Sequence, residues 1–284
     1  MNDYIFLNGS IISEKEGYIT SKDRGFLYGD GIFDTLRSYS GNPFKLTEHL
    51  SRLRSSAQKL KIPFIFTDDF LRNTIQTLMK KNNIPDAYIR ITLSRGSGRR
   101  GLVMCDHSEP TLLVEVKELT PYPKELYEKG MSIIVSKTKR STSCPISCHK
   151  TTNLLTSIMV KEEIKSRSAD DALLLNTDND VIECTVSNLF MVKEERVITP
   201  PLDTNILPGI TRKAVLGICQ NMNLPAKEER FRVETLIGAD EVFITNSLME
   251  IMPISKIEEH EIGKCVPGKI TAALMNAYRE LTKR

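Results

Sequence analysis

The chain has 284 residues, a formal net charge of +3, 40% hydrophobic and 26% charged residues, and no tryptophan. That length admits two domains or one large one, and so small a charge argues against nucleic acid or a membrane surface as partner. No run of about 18 apolar residues suggests a membrane span. The first eight residues have neither the basic start nor the apolar stretch of a secretory leader, so a cytoplasmic protein is expected.

In chain order, residues 4–7 and 10–12 flank Asn8-Gly9 as a hairpin. Asp23 to Gly31 is a glycine-punctuated loop; from Ile32 the pattern alternates as a strand and turns at Ser40-Gly41-Asn42. Residues 47–60 predict a helix with Thr47 as N-cap, Leu50, Leu53, Ala57 and Leu60 on one face, and Pro63 beyond its end. A second helix is expected over Asp68–Lys81, then strands over Tyr88–Ser94 and Leu112–Val116. Two prolines in Thr120-Pro121-Tyr122-Pro123 interrupt regular structure. They predict a smaller N-terminal α/β domain over residues 1–119, a connector over 120–126 and a larger C-terminal domain over 127–284.

The second half opens with a strand at Met131–Val135 and a polar segment, Ser141–His149. After Lys150 comes a helical pattern carried by Leu154, Leu155, Ile158, Met159 and Ile164. Ala172–Leu175 and Val181-Ile182 flank the turn Asp178-Asn179-Asp180, and Asn188–Val192 pairs similarly with Arg196–Thr199. A helix from Thr211 to about Asn221, a strand at Glu241–Thr245 and a helix over Pro267–Thr282 follow. Mixed elements joined by tight turns predict an α+β fold with mostly antiparallel sheets. Six cysteines are scattered (Cys105, Cys144, Cys148, Cys184, Cys219, Cys265). Cys144 and Cys148 lack the second ligand pair that zinc needs, so reduced thiols and no metal are expected.

Three features carry chemistry. Lys150 stands at the end of the polar segment, where desolvation favours the neutral amine that condenses with an aldehyde. Glu183 follows the strand Val181-Ile182, and Gly209-Ile210-Thr211 opens a helix whose free N–H groups favour an anion. An amine, a carboxylate and an anion site are what pyridoxal 5'-phosphate asks of a protein for its aldehyde, ring nitrogen and phosphate.

With those residues the chain resembles the class IV aminotransferases, the fold-type IV group of pyridoxal-phosphate enzymes. The resemblance runs in order through Asp23-Arg24-Gly25 with Gly29-Asp30-Gly31, His49-Leu50-Ser51-Arg52-Leu53, Lys150, Glu183 with Ser187-Asn188, Leu207-Pro208-Gly209-Ile210-Thr211-Arg212, and Ala239-Asp240-Glu241-Val242-Phe243. It implies that Lys150 carries the Schiff base and Glu183 faces the ring nitrogen. Arg52, the main-chain N–H groups of Ile210 and Thr211, and Ser247 would hold the phosphate, with Ser187 and Asn188 part of the cofactor site. It also implies two domains with the cofactor between them, and a homodimer acting on a small amino substrate. Tyr28, Thr35 and Arg37 are expected to line the substrate pocket.

Within that family the motifs lean one way. Branched-chain enzymes have a tyrosine five residues after the lysine, where this chain has Leu155; D-amino acid enzymes have a histidine where it has Leu102. Ser94-Arg95-Gly96-Ser97-Gly98-Arg99-Arg100-Gly101 and Asn246-Ser247-Leu248-Met249-Glu250-Ile251-Met252-Pro253 are similar to aminodeoxychorismate lyases. That resemblance implies a lyase of folate synthesis with Arg95, Arg99 and Arg100 available for substrate carboxylates. The alternative is a transaminase acting on branched-chain or D-amino acids.

Overall fold

The computed structural model describes residues 3–104 and 109–283, and Cys105 lies outside them. By its contacts the chain forms two compact units, Met1–Thr120 with His149–Asn153, and Pro121–Cys148 with Leu154–Arg284.

In the first unit, β1 (Tyr4–Leu7) and β2 (Ser10–Ser13) form the expected hairpin, followed by a short helix α1 (Arg24–Tyr28). Then come β3 (Gly31–Tyr39), β4 (Asn42–Pro43), α2 (Leu46–Lys59), α3 (Asp68–Asn82), β5 (Ala87–Ser94) and β6 (Thr111–Glu118). The six strands lie in the order β2-β1-β6-β5-β3-β4, every pair antiparallel. Ile32 and Leu36 of β3 and Ile89 and Ile91 of β5 share one core with Leu50 and Leu53 of α2 and Leu71, Ile75 and Leu78 of α3. The period of two puts alternate residues of β3 on that core side, and the period of 3.6 supplies the helix stripes.

Two starts differ from expectation. Helix α2 begins at Leu46 after Lys45, whose φ of 50° and lack of side-chain capping displace the expected Thr47 cap. Packing decides this, because Leu46 is itself buried in the core. Helix α1 lies in the stretch read as loop, and Asp23 makes it: its Oδ1 accepts from the N–H groups of Gly25 (2.8 Å) and Phe26 (3.3 Å), capping one turn. Its Oδ2 accepts from Ser94 and Thr111 hydroxyls at 2.8 and 2.7 Å.

The alternation of β3 also puts a charge on the core side. Asp34, buried between Ile32 and Leu36, accepts from Arg52 Nε (2.9 Å) and Nη2 (2.8 Å), and its Oδ1 lies 2.7 Å from His49 Nδ1. Burial works to raise this carboxyl, but the Arg52 charge and the His49 hydrogen bond overcome it and hold it well below the usual range. A carboxyl depressed in the folded state stabilises fully above the unfolded value of roughly 4, and that stabilisation drains away as the pH falls. Asp34→Asn, which leaves Arg52 without its counter-charge, is expected to destabilise the protein by about 3–5 kcal/mol. Denaturant midpoints at neutral pH measure it, and the gap to wild type should narrow in acid.

The second unit holds α4 (Lys124–Lys129), β7 (Met131–Arg140), α5 (Leu155–Ser166), β8 (Asp171–Asn176), β9 (Val181–Cys184), β10 (Asn188–Lys193) and β11 (Arg196–Thr199). It continues with α6 (Ile210–Asn221), β12 (Ala226–Glu228), α7 (Val233–Ile237), β13 (Glu241–Asn246), β14 (Glu250–Ile257), β15 (His260–Glu261) and α8 (Lys269–Thr282). The strands run β12-β11-β10-β13-β14-β7-β8-β9 with β15 on β14, and β9 also reaches β10 through the pair Asn188–Glu183. Six strands thereby close on themselves.

This sheet is mixed: β7 runs parallel to both β8 and β14, and β11 parallel to β12. The passage from β7 to β8 goes through α5, the long crossover that parallel neighbours require. Helix α4 takes up residues expected to be connector. Helix α5 buries Val160 and Ile164 against Ile134 and Leu174, while Leu155, Ile158 and Met159 are exposed. The inward stripe is one i,i+4 step and not the apolar run that the sequence displays.

Candidate active site

Lys150 follows Cys148 of the second unit in sequence, yet its contacts are with the first unit. The Phe33 N–H donates to the Lys150 carbonyl (2.8 Å), the Thr152 N–H donates to the Gly31 carbonyl (2.9 Å), and Thr151 bridges Ile32. The Thr152 hydroxyl adds bonds to the Gly29 and Gly31 carbonyls at 3.0 and 3.2 Å. Lys150 is therefore pinned by its main chain in an extended segment at the start of β3, and the helix expected at this point begins only at Leu155. Its half-buried side chain places Nζ 4.5 Å from the centroid of the buried Phe33 ring.

His149 Nδ1 meets Ser56 Oγ at 3.0 Å, one turn along α2 from Arg52. Burial, then the charge of Lys59, lower His149 from its ordinary value and favour the neutral ring. Cys148 packs half-buried with Sγ 3.9 Å from the Pro145 carbonyl. Among the described residues no group of three or more His, Cys, Asp or Glu side chains could hold a metal.

On the side of β3 away from the helices lie Phe33, Thr35 and Arg37, in register with Thr92, Arg90 and Tyr88 of β5. Arg90 Cζ sits 3.8 Å from the Phe33 centroid, and its Nε donates to Thr92 Oγ1 at 3.2 Å. Arg37 Cζ lies 4.4 Å from the Tyr39 centroid. Arg90 was missed from sequence, although the alternation Tyr88-x-Arg90-x-Thr92 would have set it on this face.

The glycine-rich loop requires a correction. Arg95, expected to bind substrate carboxylates, is buried and committed: Nε and Nη2 donate to Asp30 at 2.8 and 3.0 Å, Nη2 to the Leu60 carbonyl at 2.9 Å, and Nη1 to the Lys61 carbonyl. Four of five donors are thus spent inside the protein. Asp30 is shared with Arg24, whose Nη1 donates to the Gly101 carbonyl at 2.9 Å. Tyr28 Oη accepts the Gly101 N–H at 2.9 Å, so α1 clamps the loop and leaves Arg99 and Arg100 exposed. Gly96 has φ +81°, and a Cβ there would lie 1.7 Å from the Glu109 carbonyl oxygen.

In the second unit, Glu183 is buried at the end of β9. Its Oε1 takes Arg140 Nη1 at 2.5 Å, and its Oε2 accepts from Asn188 Nδ2 (3.1 Å) and the Leu207 N–H (3.2 Å). Asn188 Nδ2 also donates to the Leu207 carbonyl at 2.9 Å. The register aligns Glu183, Asn188 and Thr245 across three strands. Arg140 could not be read from sequence, because β7 continues five residues past the apolar run that announced it.

Beside this row, α6 opens at Gly209 with no side-chain cap, so the N–H groups of Ile210 and Thr211 are offered at the helix start. A Cβ on Gly209 would fall 1.9 Å from Asn188 Oδ1. Gly209→Ala is expected to cost about 1–3 kcal/mol of stability by displacing the amide that steadies Glu183, measured as a lowered denaturation midpoint. Among the described residues, Ser187 Oγ and Thr245 Oγ1 are buried without a hydrogen-bond partner, an arrangement that fits a polar ligand. Ser247 is half-buried in the turn between β13 and β14, where Asn246 Oδ1 accepts the N–H groups of Leu248 and Met249 at 2.9 Å.

Known proteins match both units. The chain is 33% identical over 281 residues to the aminodeoxychorismate lyase of Bacillus subtilis (strain 168), covering 98% of this chain and 94% of that one. It is 32% identical over 281 residues to the D-alanine aminotransferase of Staphylococcus epidermidis, with 97% and 96% covered. Among solved structures, the branched-chain amino acid aminotransferase of Escherichia coli superposes with a TM-score of 0.94 at 26% identity, covering 99% of this chain and 95% of that one. The profile described as amino-transferase class IV matches residues 31–257. The chain belongs to the class IV aminotransferase family.

Proposed function

We propose that this enzyme is a pyridoxal-phosphate-dependent aminodeoxychorismate lyase, converting 4-amino-4-deoxychorismate to 4-aminobenzoate and pyruvate. Class IV aminotransferases work with pyridoxal 5'-phosphate, and the unpartnered buried hydroxyls of Ser187 and Thr245, the Glu183 carboxylate and the uncapped start of α6 fit that group. When bound, it supplies an electron sink for a substrate carbanion. Lys150 would hold the group by its aldehyde through the side-chain amine, and the same amine would serve as the base that takes the proton from the carbon beside the substrate nitrogen. Glu183, whose carboxylate oxygens accept from Arg140, Asn188 and the Leu207 N–H, would be the residue to hold the ring nitrogen and its proton. The start of α6, Arg52 and Ser247 would hold the phosphate.

The observation that carries the lyase reading is the pair of guanidinium groups, Arg37 and Arg90, on one face of the first unit's sheet, the face that also holds Phe33 beneath Lys150. Aminodeoxychorismate carries two carboxylates, and two arginines match two carboxylates. Arg90 thereby replaces Arg95 in the expected role. Tyr28 and Thr35 border the substrate, Tyr28 by fixing the loop that bears Arg100. The test is substrate release with no 2-oxo acid present: pyruvate and 4-aminobenzoate should appear in equal amounts.

The transaminase reading is favoured by the D-alanine relative, at 32% identity against 33% for the lyase. Turnover of D-alanine or L-leucine only when a 2-oxo acid is supplied, with none of aminodeoxychorismate, would establish it. The same proposal carries a cytoplasmic homodimer, supported by the exposed Leu155, Ile158 and Met159 of α5. Sedimentation at twice the chain mass checks it.

A further inference from the structure

The residue before the lysine has a partner of its own. His149 Nδ1 meets the hydroxyl of Ser56 at 3.0 Å. A serine hydroxyl keeps that bond with either tautomer of the ring, as donor to one and acceptor from the other. Ser56 is buried on α2 between Leu53 and Ala57, both in the core of the first unit, so its hydroxyl sits on a fixed platform. His149–Asn153 belongs to that same unit, whereas Cys148 does not. His149 is therefore where the chain re-enters the first unit.

The main chain turns immediately afterwards. The Thr151 N–H donates to the His149 carbonyl at 3.1 Å and closes a three-residue turn with Lys150 at its centre. The far end of the turn is held on β3, by the Thr151–Ile32 bridge and by the Thr152 N–H on the Gly31 carbonyl (2.9 Å). The near end is held on α2 through His149. Helix α2 and β3 share one core, so both ends are fixed in one frame. None of these bonds uses the Lys150 side chain; they set the direction in which it leaves the backbone, whatever it then meets.

We propose that His149 is a positioning residue that, through its bond to Ser56, aims the Lys150 amine at the cofactor aldehyde. The inference rests on Lys150 being the cofactor lysine. With the near end released the turn can open, and the side chain gains directions of departure. A smaller share of them then brings nitrogen and carbon within reacting distance. Covalent capture depends steeply on that alignment, whereas one hydrogen bond adds little to the fold.

The experiment strips the full-length protein of cofactor and follows the visible absorbance that appears on mixing with pyridoxal phosphate. His149→Ala and Ser56→Ala are each expected to slow the limiting rate at saturating cofactor by about tenfold, with the half-saturating concentration within about twofold of wild type. Because both remove one bond, the double variant should be no slower than either. His149→Asn, whose amide can stand in for Nδ1, should restore most of the rate. Ser56→Ala favours the helix it sits on, so it keeps the test open if His149→Ala does not fold. Unchanged limiting rates, a change confined to the half-saturating concentration, or single effects that multiply in the double variant overturn the inference while leaving the cofactor lysine in place. Absence of the band in the wild-type protein, or borohydride fixing the cofactor on a different residue, overturns the reading of Lys150 and the inference with it.

Discussion

Lys150→Ala is expected to lower turnover by at least about 10⁴-fold and to abolish the visible absorbance of the cofactor-loaded protein. Two roles are lost together: the nucleophile that binds the aldehyde, and the base that moves the substrate proton, which alone is worth roughly 10²–10⁴-fold. The fold should survive. The segment is anchored by the Lys150 carbonyl, by Thr152 and by the Thr151–Ile32 bridge, none of which involves the lysine side chain. The side chain is only half-buried and its ring contact with Phe33 is worth about 0.5–1 kcal/mol, so the loss of stability should stay well below that of a core truncation. Lys150→Arg should be equally inactive, because a guanidinium does not give up its proton near neutral pH. A variant retaining more than about a hundredth of wild-type turnover would exclude Lys150 from both roles.

Glu183→Gln is the second large effect, with an expected fall in turnover of about 10²–10³-fold, while the cofactor remains attached at Lys150. A neutral amide cannot stabilise a protonated ring nitrogen as a carboxylate does, so the electron sink weakens without loss of the covalent bond. The same change strips Arg140, whose Nη1 lies 2.5 Å from Glu183, of its counter-charge. Because Arg140 is partly exposed, the stability cost should stay near 1–3 kcal/mol, below that of a fully buried broken pair. The double variant with Arg140→Met separates the two contributions: stability should recover and turnover should not. Turnover recovering with stability would mean that Glu183 matters only to the fold.

Much of this arrangement was legible in the sequence, for identifiable reasons. Alternation marked β3 and β5, helical stripes marked α2 and α3, and the Asn8-Gly9 and Asp178-Asn179-Asp180 turns marked hairpins that the structure contains. The residues around Glu183 could be proposed because Asn188 and the start of α6 follow it closely in the chain. What stayed hidden depends on contacts remote in sequence. Helix α1 exists because Asp23, held by Ser94 and Thr111, caps it, and a string of glycines conceals that. Arg95 and Arg90 lie five residues apart in similar company; only the carbonyls of Leu60 and Lys61 and the Asp30 carboxylate reveal that the first is spent on the fold. The apolar run after Lys150 read as an inward helix face, whereas Leu154, Leu155, Ile158 and Met159 are exposed and the inward pair is Val160 and Ile164.

The proposed chemistry depends most on where the cofactor is attached. Borohydride reduction of the protein loaded with pyridoxal phosphate, followed by digestion and mass spectrometry, should find one phosphopyridoxyl group per chain on the peptide containing Lys150. A group distributed over surface lysines, or found on a single lysine elsewhere in the chain, would contradict it.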